Sequence, residues 1–159
     1  MKISIRKGLG FGLTSGIITT LGLIMGLYSG TYSKMVIIGG IFIIAIADAF
    51  SDSLGMHISE EAGSKKTTIE NIWETTISTF LFKLISALTF VIPVFILELR
   101  TAVIVSVIWG LFLLYIFSFY LAKKNKLNPI KIIAEHLIIA ILVIIITRFV
   151  GNWVAVNFS

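Results

Sequence analysis

The sequence predicts an all-α integral membrane protein: five transmembrane helices, with the N-terminus inside and the C-terminus outside. Three observations carry this. Of 159 residues, 57% are hydrophobic and only 13% charged, with a mean hydropathy of +1.04. A domain this small has too much surface for its volume to hide that much apolar side chain from water. Apolar runs of about 20 residues, long enough to cross a hydrocarbon core of about 30 Å, recur along the whole chain. They lack the alternating pattern of barrel strands, and backbone polar groups in lipid must bond within their own segment, so the runs are read as helices. The third observation is charge placement. Lys2, Arg6 and Lys7 precede the first span, Lys65 and Lys66 lie between the second and third, and Lys123, Lys124, Lys126 and Lys131 lie between the fourth and fifth. The other two connections carry only Lys34 and Arg100. Basic residues are retained on the cytoplasmic side, which fixes the orientation.

The expected spans are residues 8–28, 35–59, 77–97, 102–121 and 130–150, with a short cytoplasmic amphipathic segment over 60–76, all in a single transmembrane domain. The net charge of +5 is accounted for by this topology and does not call for nucleic acid as a partner. With no cysteine there is no disulfide, thiolate metal site or thiol nucleophile. The basic start followed by an apolar run has the outline of a signal peptide, but the run is longer than such segments use.

The first span carries Gly8, Gly12 and Gly16, then Gly22, Gly26 and Gly30. At about 100° per residue the six fall in one sector, shared with Ser15 and Thr19. This doubled small-residue face allows another helix backbone to approach closely. Two compatible uses follow: close packing alone, or a helix that lines a path at a subunit interface with Ser15 and Thr19 as weak oxygen ligands. The second span runs inward from Met35 and carries Asp48, which at 1.5 Å per residue lies about 20 Å from Lys34. Asp52, Met56 and Ser59 follow on the same face, flanked by Ser51 and Gly55, while His57 points the other way.

Beyond Ser59 the chain turns polar. Glu60, Glu61, Glu70 and Glu74 either belong to an interfacial amphipathic turn or form an acidic antechamber that gathers cations. Ile69, Trp73 and Ile77 share one helical face there. The third span contains Pro93, which removes a backbone bond and kinks a helix. Lys83 is expected to snorkel from its inner end. The fourth span, with Ser106, Gly110 and Ser118, reads as scaffold. The fifth opens after Asn125–Pro129 with Glu135 and His136, and holds Arg148 near its outer end, where snorkelling is the default and pairing with a carboxylate the alternative.

An ionised Asp at the centre of a span costs about 2.5–3.5 kcal/mol on insertion scales. Two of them four residues apart also repel, so such a pair holds a proton until a cation replaces it, and cation binding then expels protons. Carboxylate oxygens with the Met56 thioether suit a divalent ion of intermediate softness, Fe²⁺ or Mn²⁺. One helix face cannot complete a coordination shell, but a homodimer with this face at its axis doubles every ligand. The competing reading is a structural polar network involving Ser15, Thr19 or Arg148. Enzyme readings fail on local pattern. The metal-binding Asp-x-x-Asp-Gly element of membrane phosphatidyltransferases does not precede Asp48. The two Asp lie on one helix rather than the two an intramembrane aspartyl protease needs. A Ser51–His136 hydrolase has no supporting motif.

The order of features resembles the vacuolar iron transporter family, which includes nodulin-like and yeast calcium-cross-complementer members. Gly12-Leu-Thr-Ser-Gly16 followed by Thr19–Leu23 resembles that family's first-helix motif. Ser51–Ser59, SDSLGMHIS, resembles its second-helix Ser-Met-x-x-Gly-Glu-Tyr-x-Ser. FVIPVF at Phe90–Phe95 resembles its proline-bearing third helix, and Pro129 to Gly151 its last helix. The resemblance implies a homodimeric exchanger that moves Fe²⁺ or Mn²⁺ out of the cytosol against protons, with no permanently bound cofactor and no enzymatic activity. The chain is then a divergent, short member. Ser15 stands where the family has Asp, Asp52 where it has Met, Met56 where it has Glu, and Arg148 where it has Tyr, while residues 60–76 replace the family's large cytoplasmic metal-binding insert. The metal ligands expected on this basis are Asp48, Asp52 and Met56, in a multi-pass protein of the cell membrane if the source is prokaryotic. The alternative is a non-transporting membrane scaffold or assembly protein.

Overall fold

The computed structural model describes residues 1–63 and 67–158, all of them helical or in short connections. The helices are α1 (Ile3–Thr31), α2 (Lys34–Ala62), α3 (Ile69–Leu88), α4 (Val91–Ile96), α5 (Leu99–Lys124) and α6 (Pro129–Phe158). Taken with α3 and α4 as one broken rod, Ile69–Ile96, five helical rods are long and apolar enough to cross a membrane. The expected kink lies where the proline dictates. Pro93 has no N–H to return to the carbonyl four residues earlier, and the ladder breaks at Thr89–Phe90, with Phe90 N–H turning back to Ala87 O (3.1 Å).

Helix ends follow local chemistry. The Ser33 hydroxyl accepts from Val36 N–H, the Thr68 hydroxyl from Asn71 N–H, and the Asn128 side chain from Ile130 N–H with Pro129 at the first position of α6. The rods run longer than the apolar count alone gives, because polar residues at both ends continue the same hydrogen-bond ladder. The amphipathic segment expected over 60–76 is accordingly not a separate element. Glu60–Ala62 finish α2, and Ile69–Thr76 are the first turns of α3. Lys65 and Lys66, counted in the charge asymmetry, lie outside the described residues.

α1 is the centre of the bundle and touches α2, α3, α5 and α6. Its doubled glycine face is split between two neighbours. Cβ atoms placed at Gly8 and Gly12 would lie 2.6 Å from the backbone oxygens of Thr75 and Thr79, and one at Gly16 would lie 3.0 Å from Lys83 O, so this half is closed by α3. Gly22, Gly26 and Gly30 face Val143, Thr147 and Gly151 of α6. Close packing within one chain thus uses the glycine face, while Thr19, Gly22, Gly26 and Gly30 also line a groove of about 580 Å³ between α1, α2 and α6. Ile17, Leu21, Ile24, Ile37, Ile41, Phe90 and Leu114 form the core around α1. The outward surface is the reverse of a water-soluble protein's. Leu, Ile and Phe side chains cover the outer faces of α2, α5 and α6, and only 6% of the most apolar stretch of α6 is buried.

A buried carboxylate–ammonium cluster

The helix directions bring the start of α1, the end of α2 and the start of α3 to one end of the bundle. Ion pairs tie them there: Lys7 to Glu60 at 2.8 Å, and Lys2 to Glu70 at 2.8 Å and to Glu74 at 2.5 Å. Hydrogen bonding to Glu70 and Glu74 holds the Lys2 ammonium above the usual lysine range. His57 on α2 bonds Thr76 of α3 (2.9 Å), packs edge-on against Trp73, and has Glu61 3.4 Å from its other nitrogen. Each acid of the expected antechamber thus has a cationic or imidazole neighbour: Glu60, Glu70 and Glu74 tie different helices together, while Glu61 lies beside His57 of its own helix. The charge focusing expected of four unpaired carboxylates is reduced accordingly.

Along α2 from this mouth lies a second polar group. Ser53 and Ala49 face the interior, and Asp52 and Asp48 stand beside them, half-buried, with side-chain exposures of 21% and 26%. Between them and α1 comes Lys83. It is 1% exposed and, with Phe90, among the largest fully buried side chains of the described residues. Its ammonium lies 2.6 Å from Asp48 Oδ2, in direct contact with Asp52 Oδ2, and donates to the Ser15 hydroxyl at 2.9 Å. Ser15 in turn donates to Asp52 Oδ2 at 2.7 Å. Asp48 Oδ2 accepts no well-aligned hydrogen bond despite its short distance to Lys83, so its link to the cluster is ionic.

Lys83 corrects the sequence expectation. It does not snorkel. The glycines that let α3 approach α1 enclose its stem, with the Lys83 Cγ only 3.2 Å from where a Cβ at Gly16 would stand, and its charge is directed at α2 instead. A signal for this was present. Thr75, Thr79 and Lys83 recur at helical spacing, followed by Ser86, and all four are buried on the face of α3 that meets α1.

The other expected residues are placed as follows. Ser15 joins the cluster. The Thr19 hydroxyl instead bonds Ser15 O of its own helix (2.9 Å). Ser51 and Ser59 are exposed, and Met56 is half-buried. Ser51 and Asp48 line one end of a groove of about 790 Å³ between α1 and α2, whose walls are Leu23, Leu27, Gly39, Gly40 and Ile44. Among the described residues no three His, Asp or Glu side chains converge as a metal-holding group. Ser51 and His136 are not a pair, since His136 Nδ1 lies 2.7 Å from the buried Ser118 hydroxyl. Arg148 is exposed and its side chain pairs with no carboxylate among the described residues.

Chemically, the cluster has two acids sharing one ammonium. A buried ammonium is stabilised by carboxylate contact; removing it strands two carboxylates, whereas removing one acid leaves a balanced pair. One negative charge is left over when all three groups are ionised, and it lies next to a groove that opens between helices. No family model matches this chain, and no curated protein matches it.

Proposed function

We propose that the chain is a multi-pass membrane protein, N-terminus inside, that exchanges a divalent cation for protons through the Asp48–Asp52–Lys83 cluster. The observation that carries this reading is the convergence of two carboxylates on one buried ammonium midway along helices apolar enough to cross a membrane. Ionisable groups at such a depth are costly, and ion and proton pathways are where they are used. Lys83 stands where a transported cation would stand. It compensates one of the two carboxylate charges, and entry of a divalent cation requires positive charge to leave, either as a proton or by withdrawal of the ammonium. Asp48 and Ser51 keep the site open to one end of an otherwise aliphatic groove between α1 and α2. Fe²⁺ and Mn²⁺ are the proposed substrates, on the resemblance set out from the sequence. Asp48, Asp52 and Ser15 supply oxygen, and a second copy of the chain or water completes the shell.

The test is flux. The protein reconstituted in liposomes should move Mn²⁺ or Fe²⁺ with opposite movement of protons, and Asp48→Asn and Asp52→Asn should each abolish it. Unchanged flux in both variants removes the site assignment.

One observation favours a second reading, a scaffold or assembly protein with a structural polar network. Lys83 already contacts both carboxylates, as the counter-charge of a purely structural network would. Thermal stability separates the two. An exchanger gains stability when Mn²⁺ is added, because binding to the folded state shifts unfolding by mass action. A scaffold does not respond.

A further inference from the structure

The opposite end of the bundle carries a different feature. Arg100, in the first turn of α5, and Arg148, on α6, line one groove of about 540 Å³ together with Tyr28 and Tyr32 at the end of α1. Tyr28, Tyr32 and Arg148 also wall a second cavity of about 600 Å³ on the other side. Neither guanidinium has a carboxylate within ion-pairing distance or a side-chain hydrogen bond among the described residues, although the Glu98 carboxylate is only two positions from Arg100. A cation in the first turn of a helix faces the positive end of the helix dipole, so Arg100 is unfavourably placed until an anion joins it. The floor of the groove, by contrast, is hydrocarbon, formed by Met25, Val103, Val107 and Ile144. Two unpaired guanidiniums with phenol hydroxyls at the mouth and an aliphatic channel below form an amphipathic mould.

We infer that this groove binds an anionic phospholipid. The phosphate is held by Arg100 and Arg148, the tyrosine hydroxyls bond the headgroup, and an acyl chain lies along Val103, Val107 and Ile144. Guanidinium suits a phosphate because its fork of donors matches the phosphate oxygens. A free anion would leave the aliphatic floor unused, and a zwitterionic lipid would bring its own ammonium up against the two guanidiniums, which an anionic headgroup does not. The inference rests on the membrane-spanning part of the proposed function and is independent of cation exchange.

The test uses the full chain, extracted and purified in dodecyl maltoside, with dioleoyl phosphatidylglycerol, dioleoyl phosphatidylcholine or inorganic phosphate added. Phosphatidylglycerol should stay bound in native mass spectrometry and raise the melting temperature. Retention should exceed that of phosphatidylcholine at least tenfold, and inorganic phosphate should leave the melting temperature unchanged. The double variant Arg100→Gln/Arg148→Gln should lose that preference, while Arg100→Lys/Arg148→Lys keeps part of it, which controls for folding. Equal retention of the two lipids, an undiminished preference in the glutamine variant, or equal stabilisation by inorganic phosphate overturns the proposal. So does a self-association that the glutamine variant abolishes without any lipid preference, which would assign the groove to a second copy. Release of the chain from membranes by alkaline carbonate would instead overturn the membrane reading itself. A chain that stays in the membrane but shows no phosphatidylglycerol preference overturns only the lipid site.

Discussion

Replacing Lys83 by Met keeps most of its stem volume in place and removes its charge. The cost follows from the geometry. At an effective dielectric of about 20, an ion pair at the 2.6 Å separation of Lys83 and Asp48 has a gross attraction of about 6 kcal/mol. Asp52 contributes a second pair of similar kind, and most of this gross attraction is offset by desolvation of the three groups. Removing one partner of a buried pair costs about 3–5 kcal/mol, because the remaining charge stays buried. Asp48 and Asp52 retain 26% and 21% of their side-chain exposure, so partial solvation trims the expected loss to about 2–4 kcal/mol. At about 2–4 °C per kcal/mol for a chain of this size, Lys83→Met should melt roughly 5–15 °C below the wild type. Tryptophan fluorescence during heating in detergent at neutral pH reads this directly. The triple variant Lys83→Met/Asp48→Asn/Asp52→Asn should recover more than half of the loss, because it removes the stranded charges along with their partner. A single variant within about 2 °C of the wild type, or a triple variant no more stable than the single, would refute the assignment of Lys83 as the counter-charge of both acids.

Other expectations follow from the same packing. Gly12→Ala should destabilise by about 1–3 kcal/mol, since its Cβ meets Thr79 O at 2.6 Å, whereas Gly39→Ala and Gly55→Ala, which face open space on a helix, should be neutral or stabilise by up to about 1 kcal/mol. Melting temperatures of the three variants measured side by side check this. Lys34→Met should cost about 1–2 kcal/mol, because the Lys34 ammonium donates to Phe95 O and Leu97 O at 2.9 Å each, where α4 ends, and denaturation midpoints read the loss. Glu60→Gln should change stability by less than about 1 kcal/mol, as its partner Lys7 is half-exposed, and a larger effect in the same assay would mean the mouth is more than a set of surface ties. If cation exchange is the function, Mn²⁺ should raise the melting temperature of Lys83→Met more than that of the wild type, because no ammonium competes for the carboxylates.

The expected spans located the helical rods because apolar length is a local property that each run carries by itself. Their ends were off by up to eight residues at the start of α3 and at the end of α6, where polar turns continue a helix that hydropathy stops counting. The α2 residues Asp48 and Asp52 were legible as one face for the same reason: an interval of four residues fixes angular position on a helix whatever surrounds it. Ser15 was legible as a partner because it shares the sector of the glycines. Arg148 was legible as a charge near a helix end, but not as half of a groove, since Arg100 is 48 positions away in sequence.

The set of helices, the acidic face of α2 and the close-approach face of α1 can therefore be read along the chain, because each depends on residues near one another in sequence. Which neighbours pack on that glycine face, and where Lys83 points, depend on contacts between helices far apart in sequence. A lysine stem is long enough either to reach a helix end or to lie across to the next helix. Only the close seating of α3 against Gly8, Gly12 and Gly16 closes the first route and leaves the carboxylates of α2 as the place for its charge.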